Sequence, residues 1–312
     1  MIATRFTAGM LAGALATVIL AASPLCRAAA IDLSPEQPGR LHTVRNEQAI
    51  ALLPKAFPFV APGTLTIGIH PNNPPISTYA TDAKTVVGFD ADLVQLLGES
   101  LGLKPQLAVT SWANWPLGLV SGQFDAVVSN VTVTEERKEK FDFSTYRRDV
   151  VGFYVATDSK ITSIKEPKDV AGLRVITDAG TNQEKILLEW DRENVAKGLK
   201  PIQVQYYTDD AVESLTLEAG RADVIFSVNS SRAYKAALDG KTRLVGTVSG
   251  GWPLTAEIAV TSRKSSGLAA PVTAALNGLI ANGTYAKLLA RWNLSAEAIQ
   301  QSQTNPPGLP RS

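Results

Sequence analysis

The feature that most constrains this chain is an alternation of apolar strand-like runs and amphipathic helical stretches, written twice in succession. In the first set, residues 65–69 read as a strand and lead into a rigid loop of Pro71, Asn72, Asn73, Pro74 and Pro75. Asp90 stands as the cap of a helix whose apolar face is Leu93, Val94, Leu97 and Leu101, and Gly102 stops it. Residues 106–109 read as a strand, 115–120 as a short helix ended by Gly122, and 126–129 as a buried strand. Thr134 then precedes Glu135-Glu136-Arg137, an N-cap followed by acids in a first turn. After Val150 the pattern restarts, with strands at 152–155, 174–177, 202–206 and 224–227. The helices between them open at Thr181, at Asp209 or Asp210, and at Ser230. A strand at 254–260 and helices at 268–281 and 285–292 complete the pattern. Two such sets predict an α/β protein of two lobes with largely parallel sheets.

The rare residues are unevenly placed. Both methionines, Met1 and Met10, and the single cysteine, Cys26, lie in the first 26 residues. Arg5, an apolar run over 6–22, Pro24 and then Ala28-Ala29-Ala30 have the order of a secretory signal peptide, residues 1–30, cleaved after Ala30. The run is short for a membrane anchor and carries Gly9 and Gly13. Leu25 before Cys26 is too bulky for a lipid-attachment site. Cleavage leaves 282 residues of the 312, and the formal charge of +1 becomes −1 once Arg5 and Arg27 are gone. That charge gives no electrostatic case for binding nucleic acid or coating an acidic membrane. A mature chain without cysteine has no disulfide and no cysteine-bound zinc, so burial must stabilise it. Residues 31–63 read as an arm with one short helix near 49–53, and residues 299–312, polar with three prolines, as a disordered tail.

Catalytic equipment is sparse. His42 and His70 are the only histidines, and no Gly-x-Ser-x-Gly elbow or Gly-x-Gly-x-x-Gly loop is present. Gly240-Lys241-Thr242 looks like the end of a phosphate loop, but Lys235 holds the position that needs glycine. No metal or cofactor is expected. The pattern points to a binder whose ligand lies between the lobes at the carboxyl ends of the strands.

A series of ordered motifs now bears on identity. Gly88-Phe89-Asp90-Ala91-Asp92-Leu93, Leu119-x-x-Gly122-x-x-Asp125-Ala126 and Thr132-Val133-Thr134-Glu135-Glu136-Arg137 come first, the last followed by Phe141-Asp142-Phe143-Ser144-x-Tyr146. Asp169-Val170-Ala171-Gly172, Gly180-Thr181-Asn182-Gln183-Glu184, Ala219-Gly220-Arg221-Ala222-Asp223 and Gly283-Thr284-Tyr285 with Trp292 follow. The series resembles the bacterial extracellular solute-binding proteins of family 3, the polar amino-acid type. It implies a type II periplasmic-binding-protein clamshell serving a membrane ABC permease, a monomer in the periplasm. Lobe 1 would comprise residues 64–149 and 255–298 and lobe 2 residues 150–254, joined by hinge strands near 147–153 and 250–257.

The resemblance also implies site residues. Arg137 would bind the ligand's carboxylate, and a planar guanidinium with two parallel donors suits that role. Its apparent place at a helix start would add to the attraction. The competing reading is an ion pair with Glu135 or Glu136 on a solvated face. Asn130 and Thr132 offer side-chain or backbone bonds to the same ligand. Gly180, Thr181 and Asn182 form the facing loop of lobe 2, or simply a helix cap. Trp112 falls where the family often sets an aromatic wall, or packs in the core; Trp115 is read as core. Two positions depart from the pattern. Val228, with Asn229 beside it, stands where an acid usually pairs the ligand's ammonium, and Asn73 stands where an aromatic usually stacks. An ammonium buried against Val228 would be unpaired, at a cost of several kcal/mol. The ligand then either lacks a free α-ammonium, or a neighbour such as Asp178 or Asn229 substitutes. The alternative function is a dehydratase acting on prephenate or arogenate, with Glu184 or His70 as the acid.

Overall fold

Glycine and buried carboxylates, more than caps, set the elements that frame the site. The structure is a computed structural model that describes residues 1–2, 31–71, 74–207 and 209–311; the expected leader over 3–30 and Asn73 lie outside the described residues. The first passage carries α1 (Glu47–Ala51), β1 (Thr64–Ile69), β2 (Thr78–Tyr79), β3 (Val86–Val87), α2 (Phe89–Leu101), β4 (Lys104–Val109), α3 (Trp115–Val120), β5 (Ala126–Val127) and β6 (Phe141–Arg148). The second carries β7 (Val150–Ala156), β8 (Arg174–Thr177), α4 (Asn182–Ala196), β9 (Gln203–Tyr206), α5 (Asp210–Glu218), β10 (Val224–Val228), α6 (Asn229–Asp239) and β11 (Thr242–Ser249). The chain then returns through β12 (Glu257–Arg263), α7 (Ala269–Ala281) and α8 (Thr284–Arg291).

Two five-stranded sheets result, in the orders β4-β1-β5-β12-β6 and β11-β7-β10-β8-β9. Each is mixed rather than largely parallel. β1 runs parallel to β4 and β5, and β8 to β9 and β10; β12 and β7 pair antiparallel with their neighbours. The antiparallel strands are those on either side of the two points where the chain passes between the sheets. Leu65, Ile67, Phe89, Leu97, Leu276, Leu288 and Trp292 form the core of the first sheet, and Phe153, Val175, Trp190 and Phe226 that of the second.

The cap of α2 is Gly88, not Asp90. Gly88 has φ 131°, and a Cβ there would stand 2.5 Å from the Ile76 carbonyl oxygen, so only glycine fits. Asp90 lies inside the first turn, fully buried, where it accepts from the Tyr146 hydroxyl at 3.2 Å. Asp92, two residues on, accepts from Trp292 Nε1 at 2.9 Å, Arg40 Nε at 2.8 Å and Arg291 Nε at 3.1 Å. The motif's two acids therefore tie α2 to β6 and to the C-terminal helix. Residues 31–63 pack on the same lobe: Asn46 N–H donates to the Ser100 carbonyl at 2.8 Å, and Asp125 accepts from Val60 and Thr66 N–H.

The tail is ordered, contrary to expectation. Gln303 and Thr145 exchange hydrogen bonds, as do Asn305 and Phe143, so residues 303–305 cover the open edge of β6. Further on, Leu309 N–H donates to the Val133 carbonyl and Glu135 N–H to the Leu309 carbonyl. Prolines interrupt a continuous ladder here, but the residues between them supply enough donors and acceptors to bind an edge strand.

The passages between sheets meet at Asp149. Its N–H donates to the Ala256 carbonyl at 3.0 Å and its carbonyl accepts from Gly250 N–H at 3.1 Å. Beside it, Arg147 is wholly buried and pairs with Glu297, and it also donates to Asn130 Oδ1. Burial raises the Asp90 carboxyl to about 7 and that of Asp149 to about 6, with the Arg147 guanidinium pulling both back down.

Candidate ligand-binding site

Arg137 opens a three-residue 3-10 turn, Arg137–Glu139, rather than an α-helix, so no helix dipole reinforces its charge. The side chain is held from two directions. Nη1 donates to the Thr132 carbonyl at 2.9 Å, and the guanidinium lies 5.5 Å from the centre of the Trp112 ring. Its backbone N–H donates to Thr134 Oγ1 at 3.1 Å. Neither adjacent acid pairs with it. Glu135 binds Lys138 and the Gly308 N–H, and Glu136 binds Lys185. Among the described residues Arg137 has no ion-pair partner, and its Nε and Nη2 have no hydrogen-bond acceptor. Burial lowers its pKa to about 10, which leaves it charged at neutral pH. A half-buried cation with two free donors has the chemistry to take a carboxylate.

The other expected residues divide. Thr132 is buried and contributes its carbonyl to Arg137. Asn130, at φ 53°, commits its side-chain oxygen to Arg147. Trp112 serves as the plate under Arg137, while Trp115 is core, as its 3% exposure requires. In the second lobe Thr181 is a true N-cap, accepting from Glu184 N–H, and its hydroxyl donates to the Asp178 carbonyl at 2.7 Å. Gly180 N–H is taken by Glu184 Oε2 at 2.6 Å. Asn182, 6% exposed, keeps a buried Nδ2 without a partner. Val228 ends β10, and Asn229 Oδ1 accepts from the Tyr154 hydroxyl at 2.9 Å. His70 lies at the end of β1 with Nδ1 3.2 Å from the Thr110 carbonyl oxygen, and burial lowers its pKa, so the ring is neutral near pH 7.

Lys185 Nζ stands 3.1 Å from Glu136 Oε2, which sets the first turn of α4 against the residue before Arg137. The two loops singled out from the sequence thus face each other across the space between the sheets. That bridge was not legible in the sequence, because nothing local marks a pair 49 residues apart. An open cavity of ≈ 760 Å³ lies at the carboxyl ends of β1 and β4, lined by His70, Tyr79, Thr110, Ser111, Asn114 and Gln123 among others. Arg137 and Trp112 do not line it. Among the described residues no cluster of His, Cys, Asp and Glu could hold a metal ion, and no helix is long and apolar enough to cross a membrane.

Residues 65–295 match the model of the bacterial extracellular solute-binding proteins, family 3. The chain belongs to that family. The L-cystine-binding protein TcyJ of Escherichia coli (strain K12) is 35% identical over 164 residues, which is 52% of this chain and 58% of that protein. The match thus spans little more than half of that relative. The arginine-binding protein ArgT of Corynebacterium glutamicum is 26% identical over 257 residues, 82% of each chain. Among solved structures, an ancestral arginine-binding protein bound to arginine superposes with TM-score 0.65 at 26% identity, covering 74% of this chain and 98% of the other. The ancestral amino acid-binding protein AncCDT-1, a precursor of cyclohexadienyl dehydratase, gives TM-score 0.63 at 27% identity over 74% and 95%. The fold is that of the type II periplasmic binding proteins, two α/β lobes in a clamshell, and these relatives are named as binding proteins.

Proposed function

We propose that this protein is the periplasmic solute-binding component of an ABC importer, taking an amino acid or related small carboxylate between its lobes, with Arg137 as the carboxylate anchor. The observation that carries this reading is the state of Arg137. It is held by Thr132 and Trp112, refused by both neighbouring acids, and left with two free donors. The amino-acid-binding relatives and a solved substrate-binding protein of an amino acid ABC transporter with the same fold support the class of ligand and partner. Asn182 Nδ2, buried without a partner, is the lobe 2 donor proposed to share the ligand. Closure of the lobes on the ligand would be a hinge motion at Asp149 and residues 250–256.

The test is thermal stabilisation by amino acids, with Arg137→Ala as control. The variant is expected to melt like the wild type when free and to lose the ligand-induced rise in melting temperature. A rise of unchanged size would overturn the anchor. The dehydratase alternative keeps one support, the likeness to AncCDT-1. Against it, the Glu184 carboxylate is engaged with Gly180 N–H and His70 is neutral. Turnover of prephenate by the purified protein would replace the binding reading.

A further inference from the structure

A ligand held by its carboxylate at Arg137 brings a second question if it is an amino acid: where its positive charge goes. Val228 cannot receive it, and Asn229 has already given its side-chain oxygen to Tyr154. The strand beside β10 offers another group. β10 and β8 run parallel with Ile225 opposite Ile176. Carried two residues past that pair, the register sets Asp178, the residue after β8, level with Ser227, one strand spacing, about 4.8 Å, from the end of β10. Asp178 is also the residue that leads into the Gly180–Asn182 loop, whose helix is bridged to the Arg137 loop through Lys185 and Glu136.

The Asp178 carboxylate has no hydrogen bond and no ion pair among the described residues. Its surroundings explain why. Arg232, the nearest cation, is almost fully buried and divides its guanidinium between Asp210, at 2.7 Å, and Glu213. Lys235 adds a second cation, but on Asp210 as well, at 2.8 Å. Three carboxylates, Asp178, Asp210 and Glu213, thus stand among two cations, Arg232 and Lys235, neither of which pairs with Asp178, and burial with the neighbouring acids raises Glu213 to about 7. Burial and the neighbouring Asp210 raise the Asp178 pKa, and Arg232 only partly offsets them. On the same loop the buried Asn182 Nδ2 also lacks a partner. A carboxylate without a cation and a buried donor without an acceptor, four residues apart, are complementary to a ligand that carries both charges.

We propose that Asp178 receives the ammonium of a zwitterionic ligand, replacing the acid that position 228 lacks, so that the protein selects free amino acids over desamino carboxylates. This rests on the cleft reading given above. The two charges are then held by different lobes, Arg137 in one and Asp178 in the other, and only a ligand carrying both joins them. A carboxylate without an ammonium would occupy Arg137 and Asn182 and leave Asp178 without a partner.

The test is calorimetry of the purified protein with a panel of L-amino acids, including arginine and cystine, and their 2-hydroxy-acid counterparts. Wild type is expected to bind at least one amino acid and to bind its hydroxy counterpart roughly thirtyfold to a thousandfold more weakly, the range for removing one partner of a buried charge pair. Asp178→Asn, checked for an unchanged free melting temperature, should lose amino-acid affinity by a similar factor and leave the hydroxy acid's affinity unaltered. Equal binding of amino and hydroxy acids by the wild type would overturn the proposal while sparing the carboxylate anchor; that arm needs no variant. Undiminished amino-acid binding by Asp178→Asn would do the same. No binding of any panel member by the wild type would defeat the cleft reading and this proposal together.

Discussion

Asp90 offers a quantitative check on the electrostatics where the lobes join. Its carboxyl is fully buried, bonded by the Tyr146 hydroxyl and set near Arg147 and Glu297, and burial raises its pKa from 3.8 to about 7. Between those values the folded protein holds a proton that the unfolded chain releases. The resulting stability is complete below pH 4 and is lost as pH rises through 7, with a limiting slope of about 1.4 kcal/mol per pH unit. From pH 5.5 to 7.5 the loss due to Asp90 is therefore about 2 kcal/mol. Asp149, raised to about 6, loses most of its own contribution below this interval. Asp90→Asn keeps an oxygen for the Tyr146 hydroxyl and cannot ionise. Urea unfolding of both proteins at the two pH values isolates the effect. The stability of the variant minus that of the wild type should increase by about 2 kcal/mol between pH 5.5 and 7.5. Parallel pH dependence in the two proteins would show that Asp90 is already ionised at pH 5.5, through a stronger pull from Arg147, and would refute the argument.

The tail and the bridge between lobes give two further expectations. A chain ended at Gln301 loses the hydrogen bonds of Gln303 and Asn305 to β6 and those of Leu309 to residues 133–135. It should be less stable by roughly 6 kcal/mol, at about 1 kcal/mol for each of these six bonds, and should self-associate through the bared edge; a shortened chain as stable and as dispersed as the full one in light scattering would count against the strap. Lys185→Ala removes the half-exposed pair with Glu136, worth at most about 1 kcal/mol, so ligand binding measured by calorimetry should weaken by up to about fivefold. Tighter binding would mean that the pair competes with the ligand.

The alternation of strands and helices made the two lobes legible, because burial on a sheet imposes a period that survives in the sequence. β6 and β11 escaped it. β6 is buried almost throughout even though it mixes Phe141 and Phe143 with Asp142, Ser144 and Thr145. Its polar residues are satisfied by distant groups: Ser144 by the Ala269 carbonyl and Asp142 by Ser265 and Asn305. The same cause hid the tail, whose composition is that of a disordered segment and whose order comes from contacts with β6. At the candidate site the sequence pointed to Arg137 but left its partner open. The choice turned on Lys138 and Lys185 occupying the two acids, and the second of these pairings belongs to tertiary structure alone.

The division of labour within the motifs follows from the same geometry. Gly88, Asp90 and Asp92 look like the most characteristic residues of the first lobe, yet none of them lies free for a ligand. Gly88 admits the Ile76 carbonyl, Asp90 faces Tyr146 and Arg147, and Asp92 joins Trp292 to two arginines. They fix α2 to the strand that leads out of the lobe and to the helix that ends it. Asn130 belongs with them, since its side chain is spent on Arg147. Arg137, Asp178 and Asn182, by contrast, keep groups without a partner among the described residues, at a turn, after a strand and at a helix start. A charge that is unpaired in the free protein costs stability, and it persists where a ligand can supply the partner. Unpaired groups are therefore a better guide to the ligand here than the motif residues. On the proposal made above, they would receive a molecule with a carboxylate at one end and a cation at the other.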